Sequence, residues 1–316
     1  MARAEGAPAF TLNQLAAFVA VAEAGTISAA ADKLHASPSA LSAAVSELER
    51  ALQAQLLRRR KAKGVSLTPT GEAVLTRARA LLHQAGELEA DARGEERGVS
   101  GLVRLGCYPS LAPTVLPALI SDFTRTHPDA RLEVHENTQD QLGRTLDSGE
   151  LDLAIVYDLD LDPTWRAAAL AELTPRVVLP ADHRLAGIPG PLDLADLRDD
   201  PMVLLDAPPS SAHAFACCAR AGFSPLVVYR ARTYETARAF VGRGLGWTLL
   251  LQRPSASVTY EGRPVVVKDV ARPPLPRVPV AVIWPPDSLL SRASRAFINH
   301  AVRMAADGTL GLPRKS

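Results

Sequence analysis

Apolar positions in the first fifty residues recur at three- and four-residue spacing, the pattern of helices that each bury one face. The first face has four members, Leu12, Leu15, Val19 and Ala22. Gly25 follows, and glycine commonly ends a helix because it adopts the left-handed conformation without strain. A short alanine-rich helix is predicted over residues 28–34. Ser37-Pro38 predicts the start of a third helix, since serine caps a helix and proline suits its first position.

The third predicted helix, residues 38–52, has two faces of different character. Its apolar stripe consists of Leu41, Val45, Leu48 and Leu52. The opposite face carries only small side chains, Ser39, Ser42, Ala43 and Ser46. A helix with a small, uncharged outer face can lie deep in a DNA major groove. The alternative is an ordinary surface helix, although such helices usually carry Lys and Glu at these positions.

Basic residues concentrate after this helix. Between residues 50 and 79 there are eight, Arg50, Arg58, Arg59, Arg60, Lys61, Lys63, Arg77 and Arg79, against one acid, Glu72. This local charge of +7 stands in a chain whose formal net charge is +1. Such a block indicates either a surface for a polyanion or a solvated helix end. Residues 56–68 predict a basic hairpin, a wing that contacts phosphates beside the groove.

Residues 72–92 predict a long helix with a heptad pattern. The repeating positions are Val74, Ala78, Leu81, Ala85 and Leu88. We interpret them as a dimerisation seam, because a helix-turn-helix protein usually binds DNA as two copies. Packing on the chain's own domain is the alternative. The polar, glycine-rich segment 94–101 then predicts a hinge at a domain boundary.

Strand-like and helical runs alternate beyond the hinge, which predicts an α/β fold with mostly parallel sheets. The candidate strands are residues 102–107, 131–136, 151–157, 203–205, 226–229, 247–251, 265–267 and 278–284. The candidate helices are residues 111–126, 139–148, 211–222, 235–242 and 288–304. Parallel sheets bind ligands at the carboxyl ends of their strands, where helix N-termini face a crevice.

Several stretches together resemble the LysR-type transcriptional regulators. They are Leu15-Ala16-Ala17-Phe18-Val19-Ala20-Val21-Ala22-Glu23, Ser28-Ala29-Ala30-Ala31-Asp32-Lys33-Leu34-His35, Ser37-Pro38-Ser39-Ala40-Leu41-Ser42, Leu48-Glu49 and Leu67-Thr68-Pro69-Thr70-Gly71. Landmarks continue into the C-terminal half at Leu116-Pro117, Phe123, His127-Pro128, Gly149-Glu150-Leu151-Asp152-Leu153-Ala154-Ile155 and Gly244-Leu245-Gly246. The resemblance therefore covers nearly the whole chain.

The resemblance implies an architecture of three parts. These are an all-α winged helix-turn-helix DNA-binding domain (residues 1–71), a linker helix with its hinge (72–98), and an α/β effector-binding domain (99–316). The last resembles periplasmic binding proteins and has two subdomains, the first about 99–162 and 265–316, the second about 163–264. The chain is expected to cross between them near Asp162-Pro163 and to return near Val265. Homodimers, commonly paired as dimers of dimers, are expected from the family.

The predicted DNA-binding residues combine the third helix, its neighbours and the wing. They are Ser28, Ser37, Pro38, Ser39, Ser42, Ala43, Ser46, Arg58, Arg59, Arg60, Lys61, Lys63 and Thr68. Family members often have glutamine near Pro38 and a basic residue at Ala43, and this chain has neither. Bidentate base readout needs Arg, Gln or Asn. Our hypothesis is therefore that phosphate contacts carry much of the affinity, with specificity resting on alanine–thymine methyl contacts and DNA shape.

The predicted effector-binding residues follow candidate strands or precede candidate helices. They are Ser110, Tyr157, Asp206, Ser210, Ser211, Thr233, Tyr234 and Trp247. In the family such loops line the cleft, whereas capping or core packing is the alternative for each residue. Together they favour a small effector with polar and apolar parts, such as a carboxylate or amino-acid-like metabolite. Acidic neighbours, including Asp158 and Glu235, argue against a site for anions only.

Other functions find less support in the sequence. An enzyme is not expected, because the Gly242–Gly246 run follows a helix and lacks the spacing of a nucleotide fingerprint, and no metal-spaced His or Cys pair occurs. No cofactor is expected. A redox sensor would rest on Cys107, Cys217 and Cys218, of which the last two are adjacent. A ligand-binding protein without DNA remains a third alternative. No run of apolar residues predicts a membrane span or a secretory signal, and few cysteines fit a reducing cytoplasm.

Overall fold

The computed structural model describes residues 8–60, 64–92, 98–252, 257–286, 288 and 290–312. The N-terminal domain contains three helices, a two-stranded hairpin and the start of a long helix. Their bounds are α1 Leu12–Ala24, α2 Ile27–Lys33, α3 Pro38–Leu52, β1 Leu57–Arg60, β2 Gly64–Leu67 and α4 Pro69–Ala92. The strands pair antiparallel from Leu57 opposite Leu67 to Arg60 opposite Gly64. The winged helix-turn-helix prediction is confirmed.

Local capping determines where these helices begin and end. Gly25 ends α1 in the left-handed conformation with φ of 68°. The Ser37 hydroxyl accepts a hydrogen bond from the amide of Ala40, and Pro38 occupies the first turn of α3. These signals are short-range, so the sequence placed α3 with both ends correct.

The wing is joined to the helices through its backbone amides, which donate to one backbone carbonyl oxygen and one side-chain carboxylate. The amide of Val65 on β2 donates to the carbonyl oxygen of Gly25 at 2.8 Å. One carboxylate oxygen of Glu49 on α3 accepts the amides of Leu56 and Leu57, at 2.7 and 3.0 Å. Both leucines are buried. The end of α3 and the start of the wing therefore hold each other in place.

The first half of α4 packs on its own domain. Ala78 is 1% exposed inside the core that contains Phe18 and Leu48, and Val74 packs against the same core. Our assignment of Ala78 to a dimerisation seam was therefore wrong, because α1 of the same chain covers this position. Val74 and Ala85 are half-buried, and Leu81 and Leu88 are exposed, so the seam prediction now rests on these four positions.

The remaining chain forms an α/β domain of two lobes. The first-lobe elements before the crossing are β3 Gly101–Cys107, α5 Ala112–Thr126, β4 Ala130–Glu136, α6 Gln139–Asp147, β5 Leu153–Tyr157 and β6 Arg166–Leu173. The second lobe contains β7 Arg176–Pro180, β8 Leu192–Asp193, β9 Pro201–Leu205, α7 Ser210–Arg220, β10 Leu226–Ala231, α8 Tyr234–Gly242, β11 Thr248–Leu250, β12 Val265–Lys268 and β13 Val270–Arg272. β14 Val278–Trp284 and α9 Arg292–Asp307 return to the first lobe.

The sheets are mixed, which corrects the expectation of mostly parallel pairing. The first lobe has one five-stranded sheet of order β4-β3-β5-β14-β6. β3 is parallel to β4 and β5, whereas β14 is antiparallel to both of its neighbours. In the second lobe β9 and β10 are parallel, but β7 pairs antiparallel with β11 and β12. Returning strands from distant segments produce the antiparallel pairs, and spacing along the chain does not reveal them.

The crossings between lobes lie about ten residues later than expected. β6 still pairs with β14 in the first sheet, so the chain crosses at Thr174 and Pro175, not near Asp162-Pro163. β12 and β13 both pair with second-lobe strands, so the return falls between Arg272 and Val278, not near Val265. The sequence analysis missed β6 because this strand is alanine-rich and weak in strand-forming residues, and it also missed β7, which is only five residues long.

No single helix among the described residues has the length and apolar composition to cross a membrane. Only α1 and α2 taken together, bent by 117° at their junction, meet that test of length and composition. Their apolar residues, including Phe18, Val21 and Ala30, are buried in the core of the N-terminal domain.

We expect Glu49→Ala to destabilise the N-terminal domain strongly. The substitution leaves the amides of Leu56 and Leu57 buried without an acceptor, which costs about 2–4 kcal/mol of unfolding free energy. Urea unfolding followed by far-UV circular dichroism measures the loss. The matched control is Glu47→Ala. Among the described residues the Glu47 carboxylate accepts one hydrogen bond, from the side-chain amide of Gln14, and its loss should cost about 0.5 kcal/mol or less. Equal losses for the two variants would contradict this role of Glu49.

Candidate functional sites

The outer face of α3 is small and open to solvent. Ser39 and Ala43 are exposed, and Ser42 is half-buried beside them. Leu41, Val45 and Leu48 on the opposite face are buried against α1. The burial pattern therefore turns the small side chains outward, as a helix that enters a groove requires.

The serines of this surface differ in how many hydrogen bonds their hydroxyl groups already make within the protein. Ser37 caps α3 and also lies 3.1 Å from the Ser39 hydroxyl. The Ser46 hydroxyl donates to the carbonyl oxygen of Ser42 at 2.8 Å, so its hydrogen is engaged within the helix. Ser28 on α2 and Pro38 at the start of α3 are both exposed.

Thr68 does not belong to the exposed surface. It is 7% exposed, its hydroxyl donates to the carbonyl oxygen of Gln55 at 2.7 Å, and it accepts the amide of Gly71 at 2.9 Å. Its assignment to DNA binding was wrong. The threonine is a structural cap that joins α4 to the segment before the wing.

The wing carries the predicted basic residues only in part within the described structure. Arg58 is exposed on β1. Arg59 and Arg60 lie on the same strand, but their side chains are outside what the structure describes. Lys61 and Lys63 lie outside the described residues.

A cavity of about 640 Å³ lies between the two lobes of the α/β domain. Segments that follow the carboxyl ends of β3, β4, β9 and β10 line it, including Ser110, Thr138, Ala207 and Thr233. This is the edge at which parallel strands present loops and helix N-termini. Segments from both lobes therefore face one cleft, as the sequence predicted.

A hydrogen-bonded network joins three residues that line the cleft, Ser110, Tyr234 and Gln252, to the buried Tyr157. The hydroxyls of Ser110 and Tyr157 are 2.9 Å apart, and the amide of Gln252 donates to the Tyr157 oxygen at 3.3 Å. The Tyr234 hydroxyl donates to the carbonyl oxygen of Gln252 at 2.9 Å. Burial raises the pKa of Tyr157 and of Tyr234 well above the usual range, so both phenols are neutral.

Tyr108 connects the lobes directly. Its hydroxyl donates to the carbonyl oxygen of Ala207 at 2.9 Å and lies 3.1 Å from the Ser210 hydroxyl. Tyr108 follows β3 in the first lobe, whereas Ala207 and Ser210 precede and begin α7 in the second. The predicted residue Ser210 therefore lies at the contact between the lobes.

Charges of both signs line the cleft. Arg238 is buried on α8, where it pairs with Glu235 at 2.6 Å and donates to the carbonyl oxygen of Val258 at 2.9 Å. Glu136 and Arg232 are exposed on the two lobes. Thr233 caps α8 by accepting the amide of Thr236. The lining therefore combines one internal ion pair, one exposed acid and one exposed base.

Three predicted cleft residues lie elsewhere. Trp247 is 0% exposed in the second-lobe core, where its indole donates to the carbonyl oxygen of Asp200 at 3.2 Å. Asp206 pairs with Arg230 at 3.4 Å and does not line the cavity. Ser211 is half-buried on α7 and does not line it either. The assignment of Trp247 was wrong, because a position near a strand end fixes the edge of the sheet but not the direction of the side chain. The assignments of Asp206 and Ser211 stay predictions.

The sequence reading also missed residues that line the cleft. Tyr108 is the first residue after β3 and Thr138 the second after β4, so the rule that ligands bind at strand ends would have found both. Gln252 gave no signal, because its contact with Tyr157 joins residues far apart in the chain.

Comparisons with known proteins agree with this geometry. Residues 12–72 match the family model described as bacterial regulatory helix-turn-helix protein, lysR family, and residues 96–306 match the LysR substrate binding domain. A probable hydrogen peroxide-inducible genes activator of Mycobacterium avium is 34% identical over 260 residues, 79% of this chain and 80% of the relative.

Two solved structures extend the likeness. The C-terminal domain of a probable LysR family transcriptional regulator from Rhodococcus sp. RHA1 is 56% identical, with a TM-score of 0.64, over 64% of this chain and 99% of that one. HinK, a LysR family transcriptional regulator from Pseudomonas aeruginosa, is 32% identical with a TM-score of 0.62, over 94% of this chain and 99% of that one. The protein belongs to the LysR family of transcriptional regulators, with an N-terminal DNA-binding domain and a C-terminal effector-binding domain.

Proposed function

We propose that this regulator binds duplex DNA through α3 and the wing, and that a small molecule in the cleft between the lobes modulates the binding. The observation that carries the proposal is the pair of sites on one LysR-family chain. One is an exposed helix face of small residues beside a basic hairpin, and the other is a cleft lined by two lobes. We infer a cytoplasmic, non-catalytic protein that acts as a homodimer or a dimer of dimers.

The DNA-binding mode follows from the side chains that α3 presents. Serine hydroxyls and Arg58 donate hydrogen bonds to phosphates, and Ala43 is small enough to contact a thymine methyl group. The outer face that begins at Ser39 carries no bidentate base reader. Specificity therefore rests on groove shape and DNA deformability to a greater extent than on direct hydrogen bonds.

We expect Ala43→Glu to weaken DNA binding about a hundredfold or more. The new carboxylate enters a groove lined by phosphates, and juxtaposed like charges cost several kcal/mol. Fluorescence anisotropy at fixed low salt measures the affinity for a duplex selected from a random-sequence library by the wild-type protein. The matched control is Ala219→Glu on the exposed face of α7, which should bind like the wild type. Wild-type affinity of the Ala43→Glu variant would refute α3 as the reading helix.

The effector proposed for the cleft has a polar group and an apolar body. Gln252 donates to the Tyr157 oxygen, and the hydroxyls of Tyr157 and Ser110 share one hydrogen bond in which either can be the donor. One hydroxyl hydrogen of this pair is therefore left over, and we propose that it serves a ligand acceptor. Arg232 and the amino end of α8 favour a carboxylate, and exposed Glu136 favours an ammonium group. We propose a carboxylate or amino-acid-like metabolite.

A thermal-shift screen of aliphatic and aromatic carboxylates and amino acids tests the cleft. A ligand at about a hundredfold excess over its Kd adds about 2.7 kcal/mol of stability, which raises the Tm. We expect Thr138→Trp to abolish the shift, because Thr138 lines the cavity and an indole at this position occupies the space of the ligand. Thr124→Trp on exposed α5 should keep the shift. A shift that survives in the Thr138→Trp variant would place the ligand outside the cleft.

Peroxide sensing is a second candidate, because the Mycobacterium relative has the name of a peroxide-inducible activator. The cysteines of this chain argue against a thiol mechanism. Cys107, Cys217 and Cys218 are all buried. Burial raises the pKa of Cys217 to about 11 and of Cys218 to about 12, and that of Cys107 further. Peroxide reacts with thiolates, which are scarce at neutral pH under these conditions.

We expect the three thiols of the native protein to stay unmodified at neutral pH. A thiol with a pKa of about 11 is a thiolate in only about one molecule in ten thousand at pH 7. Mass spectrometry after brief treatment with hydrogen peroxide, or with iodoacetamide, measures modification. The same protein in urea is the control, and its exposed thiols should react readily. Rapid oxidation of Cys217 in the native state, with a change in DNA binding, would restore the peroxide proposal.

A further inference from the structure

A single guanidinium on α4 contacts both the DNA-binding domain and the effector-binding domain. Arg79 Nη2 lies 3.2 Å from a carboxylate oxygen of Glu23, in the last turn of α1. Arg79 Nη1 donates to the carbonyl oxygen of Ser148 at 3.1 Å and lies 3.6 Å from the Glu150 carboxylate. The Arg79 side chain is only 12% exposed. Its planar, forked donors suit simultaneous contacts in fixed directions.

The turn that receives Arg79 belongs to two elements that reach the effector cleft. It joins the end of α6 to the start of β5. α6 starts beside Thr138 on the cleft wall, and β5 ends at Tyr157 in the hydrogen-bonded network. A change of position at the cleft end of either element moves the turn as well, since regular elements shift as rigid units.

Local contacts hold the turn firmly to the first lobe. The carboxylate of Asp152 accepts the amide of Arg104 at 2.7 Å, and that of Asp147 accepts the indole of Trp165 at 3.0 Å. On the α4 side, the hydroxyl of Thr76 lies 3.4 Å from the carbonyl oxygen of Asp147. The turn is therefore fixed to the effector-binding lobe and touches α4 through a few polar atoms.

The surroundings of this contact are open. A cavity of about 570 Å³ lies between α4 and the first lobe, lined by residues that include Arg77, Ala80, Leu151 and Pro286. The two domains are thus not joined by a closely packed apolar interface at this place. A small shift of the turn changes the Arg79 contacts without disturbing a core.

We propose that Arg79 and the turn 148–150 form a coupling junction, through which the state of the effector cleft biases the position of the DNA-binding domain. Arg79 is a positioning residue that touches neither DNA nor effector. The inference rests on the proposed function. Because coupling between two binding sites is reciprocal, DNA binding must in turn alter the turn, so the test requires no known effector.

Amide hydrogen exchange tests the junction in the full-length protein. The exchange rates of residues 148–151 are measured with and without a saturating duplex selected from a random library. The amides of residues 148–151 donate to α6 carbonyl oxygens at 2.9–3.1 Å, so their exchange reports local opening. In the wild type we expect the duplex to change the exchange rate about fivefold. Arg79→Gln should reduce this change to less than about twofold while duplex binding persists, and Arg79→Lys should restore part of it.

Arg77→Gln is the matched control. Arg77 lies two residues away on the same helix, is exposed, and has no ion-pair partner among the described residues, so its variant should respond like the wild type. If Arg79→Gln fails to fold, Glu150→Gln replaces it as the test variant. Glu150→Gln should at least halve the change in exchange rate that the duplex causes. A full response in Arg79→Gln or Glu150→Gln, or no response in a wild type that binds DNA, overturns the inference. A wild type that binds no duplex refutes the proposed function instead.

Discussion

The return of β14 to the first sheet is the constraint on which the effector-binding domain depends. β14 lies between β5 and β6 and pairs antiparallel with both, so the second lobe is an insertion with two crossings. The two lobes therefore share no continuous sheet, and a cleft between them follows from the chain path. The loops of β3, β4, β9 and β10 face this cleft because their strands end at its edge.

The same constraint explains which parts of the fold the sequence predicts. Ser37, Pro38 and Gly25 act within a few residues of their own positions, so they locate α1 and α3 correctly. The crossing at Thr174 was missed because only the pairing of β6 with a strand about a hundred residues later assigns it to the first sheet. A periodic pattern indicates that Ala78 is buried, but it does not indicate whether a second subunit or the chain's own α1 covers this residue.

The same difference between short-range and long-range information separates the site residues that the sequence predicts correctly from those that it does not. The predicted positions of the strand ends led to Ser110, Tyr157, Ser210, Thr233 and Tyr234. All five line the cleft or the contact between the lobes. The prediction for Trp247 is wrong because the indole lies in the core of the second lobe, directly after a glycine at which the backbone turns. Gly246 has φ of 148° and lies so close to the carbonyl oxygen of Pro201 that a Cβ would stand 2.3 Å from it. The backbone at Gly246 thus passes so close to Pro201 that only glycine fits, and the same close approach brings the neighbouring indole into the core.

Both functional surfaces are formed by residues whose own structural roles restrict their freedom. Ser37 caps the helix that it presents, and Tyr108 joins the lobes whose separation it limits. The outer face of α3 lacks long side chains that could adjust to a misplaced groove, so in the proposed binding mode the position of the whole helix decides how well it contacts DNA. The proposed regulation then acts by moving the helix rather than its side chains. This is why the proposed junction between α4 and the effector-binding lobe bears on DNA binding although it lies outside the proposed DNA-contacting surface.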